Sequence, residues 1–195
     1  VTAEARVAAS SPRPALRPLR QAQRAVALAL LLNVATASAQ QQCDGEPSKR
    51  SLPDSRFEDH RDGTVTDRTT KLTWMTCSIG QTWTPAGCDA MPAPQTWSAA
   101  QDAAAAVNRS GSHFFSDWRV PQLRELASIT EPACANPRTN LRVFPATPAG
   151  FYWTSSLRPN AGSDADAYAL SFGPQGVELL SKDGLAFVRL VRSSR

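Results

Sequence analysis

The sequence predicts an α+β domain: an antiparallel sheet with two helices packed at its side, stabilised by disulfides. Three observations predict it. The C-terminal third alternates apolar and polar residues in short runs between turns, the period of half-buried strands. A stretch near residue 100 repeats apolar residues at helical spacing, and a second short helical run follows Pro121. Four cysteines, Cys43, Cys77, Cys88 and Cys134, form an even set behind an export signal, which reads as two disulfides.

The chain has 195 residues, 42% of them hydrophobic, enough for one domain and a leader. Four arginines (Arg13, Arg17, Arg20, Arg24) precede the apolar run Ala25 to Ala35, and Ala37-Ser38-Ala39 supplies a small-residue cleavage pattern before Gln40. Residues 1–39 therefore read as a secretory signal peptide, and the working protein is expected to be secreted, periplasmic or at the cell surface. The apolar run falls short of the roughly 20 residues a transmembrane helix needs, so no stable membrane insertion of the mature chain is expected. Five of the 21 basic residues and one of the 17 acidic ones lie before residue 40, which leaves 16 of each. The pI of 9.2 thus belongs to the leader, and a nucleic-acid partner is not supported.

Residues 40–55 are polar, carry Pro47 and Pro53, and read as an arm ordered by Cys43. The domain is placed at 56–195. Three cysteine pairings exist. Cys77–Cys88, closing a short loop, with Cys43–Cys134 tying the arm to the body, is the preferred set. Zinc is disfavoured because there is no C-x-x-C spacing and His60 and His113 show no ligand pattern. Asp62-Gly63 signals a hairpin turn, Thr64 to Thr66 a strand, and Leu72 to Met75 a second strand. Asp59 and Asp62 do not have the alternate spacing of a calcium loop, since Arg61 stands between them, so turn chemistry is the reading there. No metal and no cofactor is expected.

Trp83 lies in the loop closed by Cys77 and Cys88, where it either covers a small core or stacks on a sugar ring. Thr96 is the N-cap of a helix over 95–108 whose Trp97, Ala100, Ala104 and Val107 make one buried stripe. The segment SDWRVPQLREL, Ser116 to Leu126, is the structural hub. Trp118 and Val120 alternate with Arg119 as a short strand, with Arg119 expected to snorkel over Trp118. Pro121 then ends the strand, and Glu125, three residues after Gln122, supplies half of a capping box. Residues 131–150 are rich in Pro and Asn and read as an irregular loop, with Phe144 inserting into the core. Four strands are expected to close the chain as a meander: 151–156, 167–172, 177–180 and 186–191.

The runs FEDHRDGTVTDRTTKLTW, CSIGQTW, DWRVPQLREL, NLRVFPATPAGFYWTSS and FVRLVR, in that order over residues 56–195, resemble the Lcl C-terminal domain family, long labelled a domain of unknown function. The resemblance implies a C-type-lectin-like fold, distantly similar to the formylglycine-generating type. Lys71 stands where the family commonly has Gly, and Gln122 where it has Thr. The Glu-Pro-Asn and Trp-Asn-Asp motifs of calcium-dependent lectins are absent, since Glu131-Pro132 is followed by Ala133.

The namesake family member recognises sulfated glycans as the end domain of an adhesin, so the resemblance implies a non-catalytic module with a glycan or protein ligand. The candidate ligand surface is Trp83 with the two irregular loops. Arg138, Arg142 and Arg158 are the anion contacts, and Asn160, Asp164 and Asp166 the polar ones. An enzyme is disfavoured because neither histidine has an evident Ser or Cys partner. A protein-contact domain of the cell envelope is the rival binding class, and it would need an exposed apolar patch.

Overall fold

The computed structural model describes residues 41–46, 49–111, 115–158 and 165–193. The leader therefore lies outside the described residues, as do His113, Asn160 and Asp164. The elements in order are β1 (Gln42–Cys43), β2 (Phe57–Asp59), β3 (Thr64–Asp67), β4 (Leu72–Met75), β5 (Thr82–Thr84), β6 (Gly87–Asp89), α1 (Trp97–Ser110), α2 (Leu123–Ala127), β7 (Cys134–Ala135), β8 (Phe151–Leu157), β9 (Asp166–Ser171), β10 (Val177–Ser181) and β11 (Val191–Ser193), with a 3-10 turn at Asp54–Arg56 ahead of β2. All strand pairs are antiparallel. They form a four-stranded sheet, β11-β4-β3-β2, a three-stranded sheet, β10-β9-β8, and two small ribbons, β1-β7 and β5-β6.

Strand alternation explains how one chain builds two cores. Successive side chains point to opposite faces. Trp74 therefore enters one cluster with Phe57, Leu126, Phe144 and Phe172, while Met75 enters another with Ala100, Trp118 and Leu190. Strand β8 does the same, sending Tyr152 to the first cluster and Trp153 to the second, both fully buried. The alanine stripe of α1 lies in the second cluster, with Ala100 and Ala104 buried and Trp97 and Val107 flanking them. Thr96 Oγ1 accepts from the Ala99 N–H at 3.3 Å, and Gly111 closes the helix in the left-handed region at φ 65°.

The last expected strand is corrected. Residues 186–191 do not extend the meander, which ends at β10. The segment runs beside β8 through a parallel bridge between Phe187 and Tyr152, then delivers β11 to β4 in the other sheet. The physical reason is burial: Ala186, Val188, Arg189 and Leu190 are all buried, so the segment needs cover on both sides, which an edge position next to β10 cannot supply. Gly150 permits the crossing, because a Cβ there would sit 2.9 Å from the Phe187 ring.

The hub is the junction of these parts. Arg119 and Val191 exchange both backbone hydrogen bonds, each at 3.0 Å, and Asn108 of α1 grips the Trp118 backbone at N–H and C=O (2.8 and 2.9 Å). Pro121 is buried, and its carbonyl accepts from the Ser155 N–H. Arg119 is not laid over Trp118, a second correction. Adjacent strand residues face opposite ways, and the guanidinium instead makes a bidentate pair with Glu125 at 2.7 and 2.8 Å. Glu125 Oε2 also accepts from the Gln122 N–H, so one carboxylate caps α2 and pairs with the strand before it. Lys71 has φ 59°, a left-handed position that disfavours side chains.

Both preferred disulfides are present, Cys43–Cys134 and Cys77–Cys88. The segment ahead of β2 is built into the body. Cys43 pairs across the β1-β7 ribbon with Cys134, Leu52 is buried in the first cluster, and the Leu52 N–H and C=O bond to Glu131 and Asn140.

Arg189 is the least ordinary core residue. It is 1% exposed and donates to the carbonyls of Met75 and Thr76 and to the hydroxyls of Ser78 and Thr147; its guanidinium lies over the Phe144 ring. Burial pushes its pKa down, while the neighbouring Tyr152 works in the opposite direction.

Candidate functional site

A cleft of about 800 Å³ lies between the β2-β3 hairpin, the β5-β6 ribbon and the 141–145 loop. Its floor is apolar: Phe57, Val65 and Val143 line it, and all three are buried in the first core cluster. Its walls are polar, with Asp54, Asp59, Arg61, Trp83 and Arg142.

Each wall residue is held by local chemistry. Trp83 stands opposite Cys88 in the β5-β6 ribbon, and the Cys77–Cys88 bridge pins that ribbon to the end of β4. Gln81 Nε2 ties the ribbon's base to the carbonyls of Ala90 and Ala146 (3.3 and 3.2 Å). Trp83 is half-buried and lines the cleft. Across from it, Asp59 Oδ1 accepts from the Arg61 N–H at 2.8 Å, fixing a tight turn with Arg61 at φ 57°. Asp54 is held on both oxygens: Oδ1 accepts from Asn140 Nδ2 at 2.7 Å, and Oδ2 from Arg142 at 3.3 Å.

Of the residues singled out from sequence, Trp83 and Arg142 therefore share one cleft. Arg138 is half-buried in the loop after β7, where its backbone bonds to Phe172 and Glu131, and it is not among the lining residues. Arg158 is exposed just beyond β8, and Asp166 opens β9 opposite Ser181; neither lines the cleft. Asp59 was legible only as a turn former, Asp54 only as part of the polar arm, and Arg61 only as a residue that breaks calcium-loop spacing. No local signal could have promoted them, because positions 54–61, 83 and 142 meet only through the fold.

The shifted carboxyls lie elsewhere. Burial works to raise the pKa of Asp67, but hydrogen bonds from Arg56, Thr70 and Thr69 and the charge of Arg56 more than offset it, leaving the group below its ordinary value. Glu125 follows the same pattern, with burial overcome by Arg119 and the Gln122 N–H. His60 Nε2 sits 2.8 Å from Thr66 Oγ1 at the surface. Among the described residues, no group of three or more His, Cys, Asp or Glu side chains could hold a metal ion, and no helix is long and apolar enough to cross a membrane.

No curated protein matches the chain. The family described as the Lcl C-terminal domain matches residues 63–192, from the turn before β3 to the middle of β11. That match takes in the hub, α1, α2, both larger sheets except β2, and well over half of the 195 residues. The chain therefore belongs to the Lcl C-terminal domain family.

Proposed function

We propose that this protein is an exported, non-catalytic binding module that recognises glycans or other anionic surface ligands through the Trp83 cleft. The observation that carries the reading is the composition of that cleft: a half-buried indole beside two arginines and two carboxylates over an apolar floor. An aromatic plane suits the C–H face of a sugar ring. Carboxylates accept from paired hydroxyls, and the planar guanidinium fork suits a sulfate or carboxylate substituent.

Two further points support the class. The shifted carboxyls, Asp67 and Glu125, are held ionised by arginines, the opposite direction from a general acid, and neither lines the cleft. Two disulfides suit an oxidising compartment, in keeping with the leader read from sequence, and with secretion or a periplasmic or cell-surface location. On the same reading the frame is C-type-lectin-like, supported by the family and the α+β layout. The purified oxidised protein on a glycan array, with and without chelator, tests the function. Retention on acidic glycans, reduced at least tenfold by Trp83→Ala, is expected; an array with no retention refutes it.

A protein-contact role in the cell envelope is the second reading. Strand β10 favours it, because it is the edge of its sheet and exposes Val177 and Leu179 (48% and 37%). Concentration-dependent sedimentation abolished by Val177→Lys would support that role.

A further inference from the structure

A second cleft, of about 600 Å³, lies on the far side of Asp54, Leu141 and Arg142, which line both cavities. Its outer wall is the segment anchored by Cys43–Cys134, and it carries Arg50 and Pro53. The acids here are already engaged: Glu131 accepts from the Leu52 N–H, the Ser51 hydroxyl and the Ala133 N–H, and Asp54 from Asn140 and Arg142. Arg50 differs. Its Nε is sealed from solvent and has no hydrogen-bond partner among the described residues. The sealed Nε cannot itself meet a ligand, but Arg50 lines the cleft, and an oxyanion seated there against the rest of the guanidinium would supply a countercharge.

The Arg142 side chain at the divide between the clefts is only weakly held. The Arg142–Asp54 pair is 3.3 Å long with side chains 85% and 53% exposed, the kind of surface pair that contributes little. Asn140 holds Asp54 independently, so Arg142 can turn from Asp54 to a ligand without loosening the wall.

We infer that the two clefts are subsites of one groove for a linear anionic oligosaccharide. A sugar ring lies on Trp83, Arg142 contacts the chain at the divide, and an anionic substituent one or more residues along sits on Arg50. The inference rests on the glycan reading above and deepens it. Its signature is affinity that depends on chain length through Arg50.

Calorimetry with heparin-derived di-, tetra- and hexasaccharides on the full oxidised protein tests it. The hexasaccharide is expected to bind at least tenfold tighter than the disaccharide. Arg50→Ala removes that gain and leaves disaccharide binding intact, Arg50→Lys retains part of it, and Trp83→Ala weakens every length. A desulfated hexasaccharide that keeps the gain assigns a carboxylate to Arg50, and one that loses it assigns a sulfate ester. Equal affinity at all lengths, or a length gain that survives Arg50→Ala, overturns the extended groove while leaving the Trp83 cleft standing. Binding at no length overturns both. Unchanged thermal midpoints of the Arg50 variants confirm that they fold.

Discussion

Removing the two disulfides one at a time should destabilise the protein by unequal amounts, in an order set by the loops they close. Cys43 and Cys134 are 91 residues apart, and Cys77 and Cys88 are 11 apart. A cross-link removes chain entropy from the unfolded ensemble, and the loss grows with the logarithm of loop length. That relation gives about 4.6 kcal/mol for the long loop and about 2.8 kcal/mol for the short one at 25 °C. The difference, close to 2 kcal/mol, is the firmer figure because shared errors cancel. Cys43→Ser/Cys134→Ser and Cys77→Ser/Cys88→Ser are compared by equilibrium urea unfolding, followed by tryptophan fluorescence. The long-loop variant should have the lower midpoint and the steeper denaturant dependence, since its unfolded chain exposes more surface. A short-loop variant that loses as much as the long-loop variant would refute the reasoning. Native-state contacts around Trp83, rather than loop entropy, would then dominate.

Three more outcomes follow from named contacts. Arg189→Met leaves four buried acceptors without their donor, at Met75, Thr76, Ser78 and Thr147, and should cost about 3–5 kcal/mol. A thermal midpoint within error of wild type would mean that relief from burying the charge offsets those losses. The folded-state pKa values of Asp67 and Glu125 lie below their ordinary values of 3.8 and 4.5. Their stabilisation is therefore complete above those values and is lost as pH falls through the depressed folded values. Asp67→Asn should flatten the stability profile below about pH 3.8 and Glu125→Gln below about pH 4.5; urea midpoints that keep the wild-type slope would contradict this. Lys71→Gly relieves a left-handed residue in the β3-β4 turn and should raise stability by up to about 1 kcal/mol in the same unfolding assay, whereas a loss would show that the turn is not strained.

Local chemistry was legible where it was self-contained. The α1 helix announced its cap at Thr96 and its alanine stripe, because each lies within one element. The hairpin of β3 and β4 and the short Cys77–Cys88 loop were legible because they too are local, and Cys43–Cys134 followed as the remaining pair. What failed was pairing at a distance. Phe187 to Val191 alternates as any strand does, and nothing within it says that its partners are β8 and β4 rather than β10. The buried Arg189 breaks the usual polarity rule, and its compensation comes from carbonyls more than a hundred residues away. The candidate site was half legible. Trp83 and Arg142 belong to chemically suggestive loops, whereas Asp54, Asp59 and Arg61 have turn roles that mask a second use. Arg50 sits in a polar segment that looked like a mere tether until Leu52 proved to be core.

The Cys43–Cys134 bridge also fixes how the molecule bears a mechanical load. Tension applied at residue 42 and residue 193 passes from Cys43 straight into Cys134 through a covalent bond. Everything between them, including β2 to β4, the β5-β6 ribbon, α1 and the hub, forms a closed loop in parallel with the load path, whereas the 141–145 wall of the Trp83 cleft lies on the path itself. Full extension would release only about 60 residues, roughly 210 Å of contour, where the unbridged chain would yield about 530 Å. The Trp83 wall of the cleft would thus stay covalently enclosed while the 141–145 wall stretched away with the segment from Cys134 onward, so traction along the chain would part the two walls rather than unravel the β5-β6 ribbon.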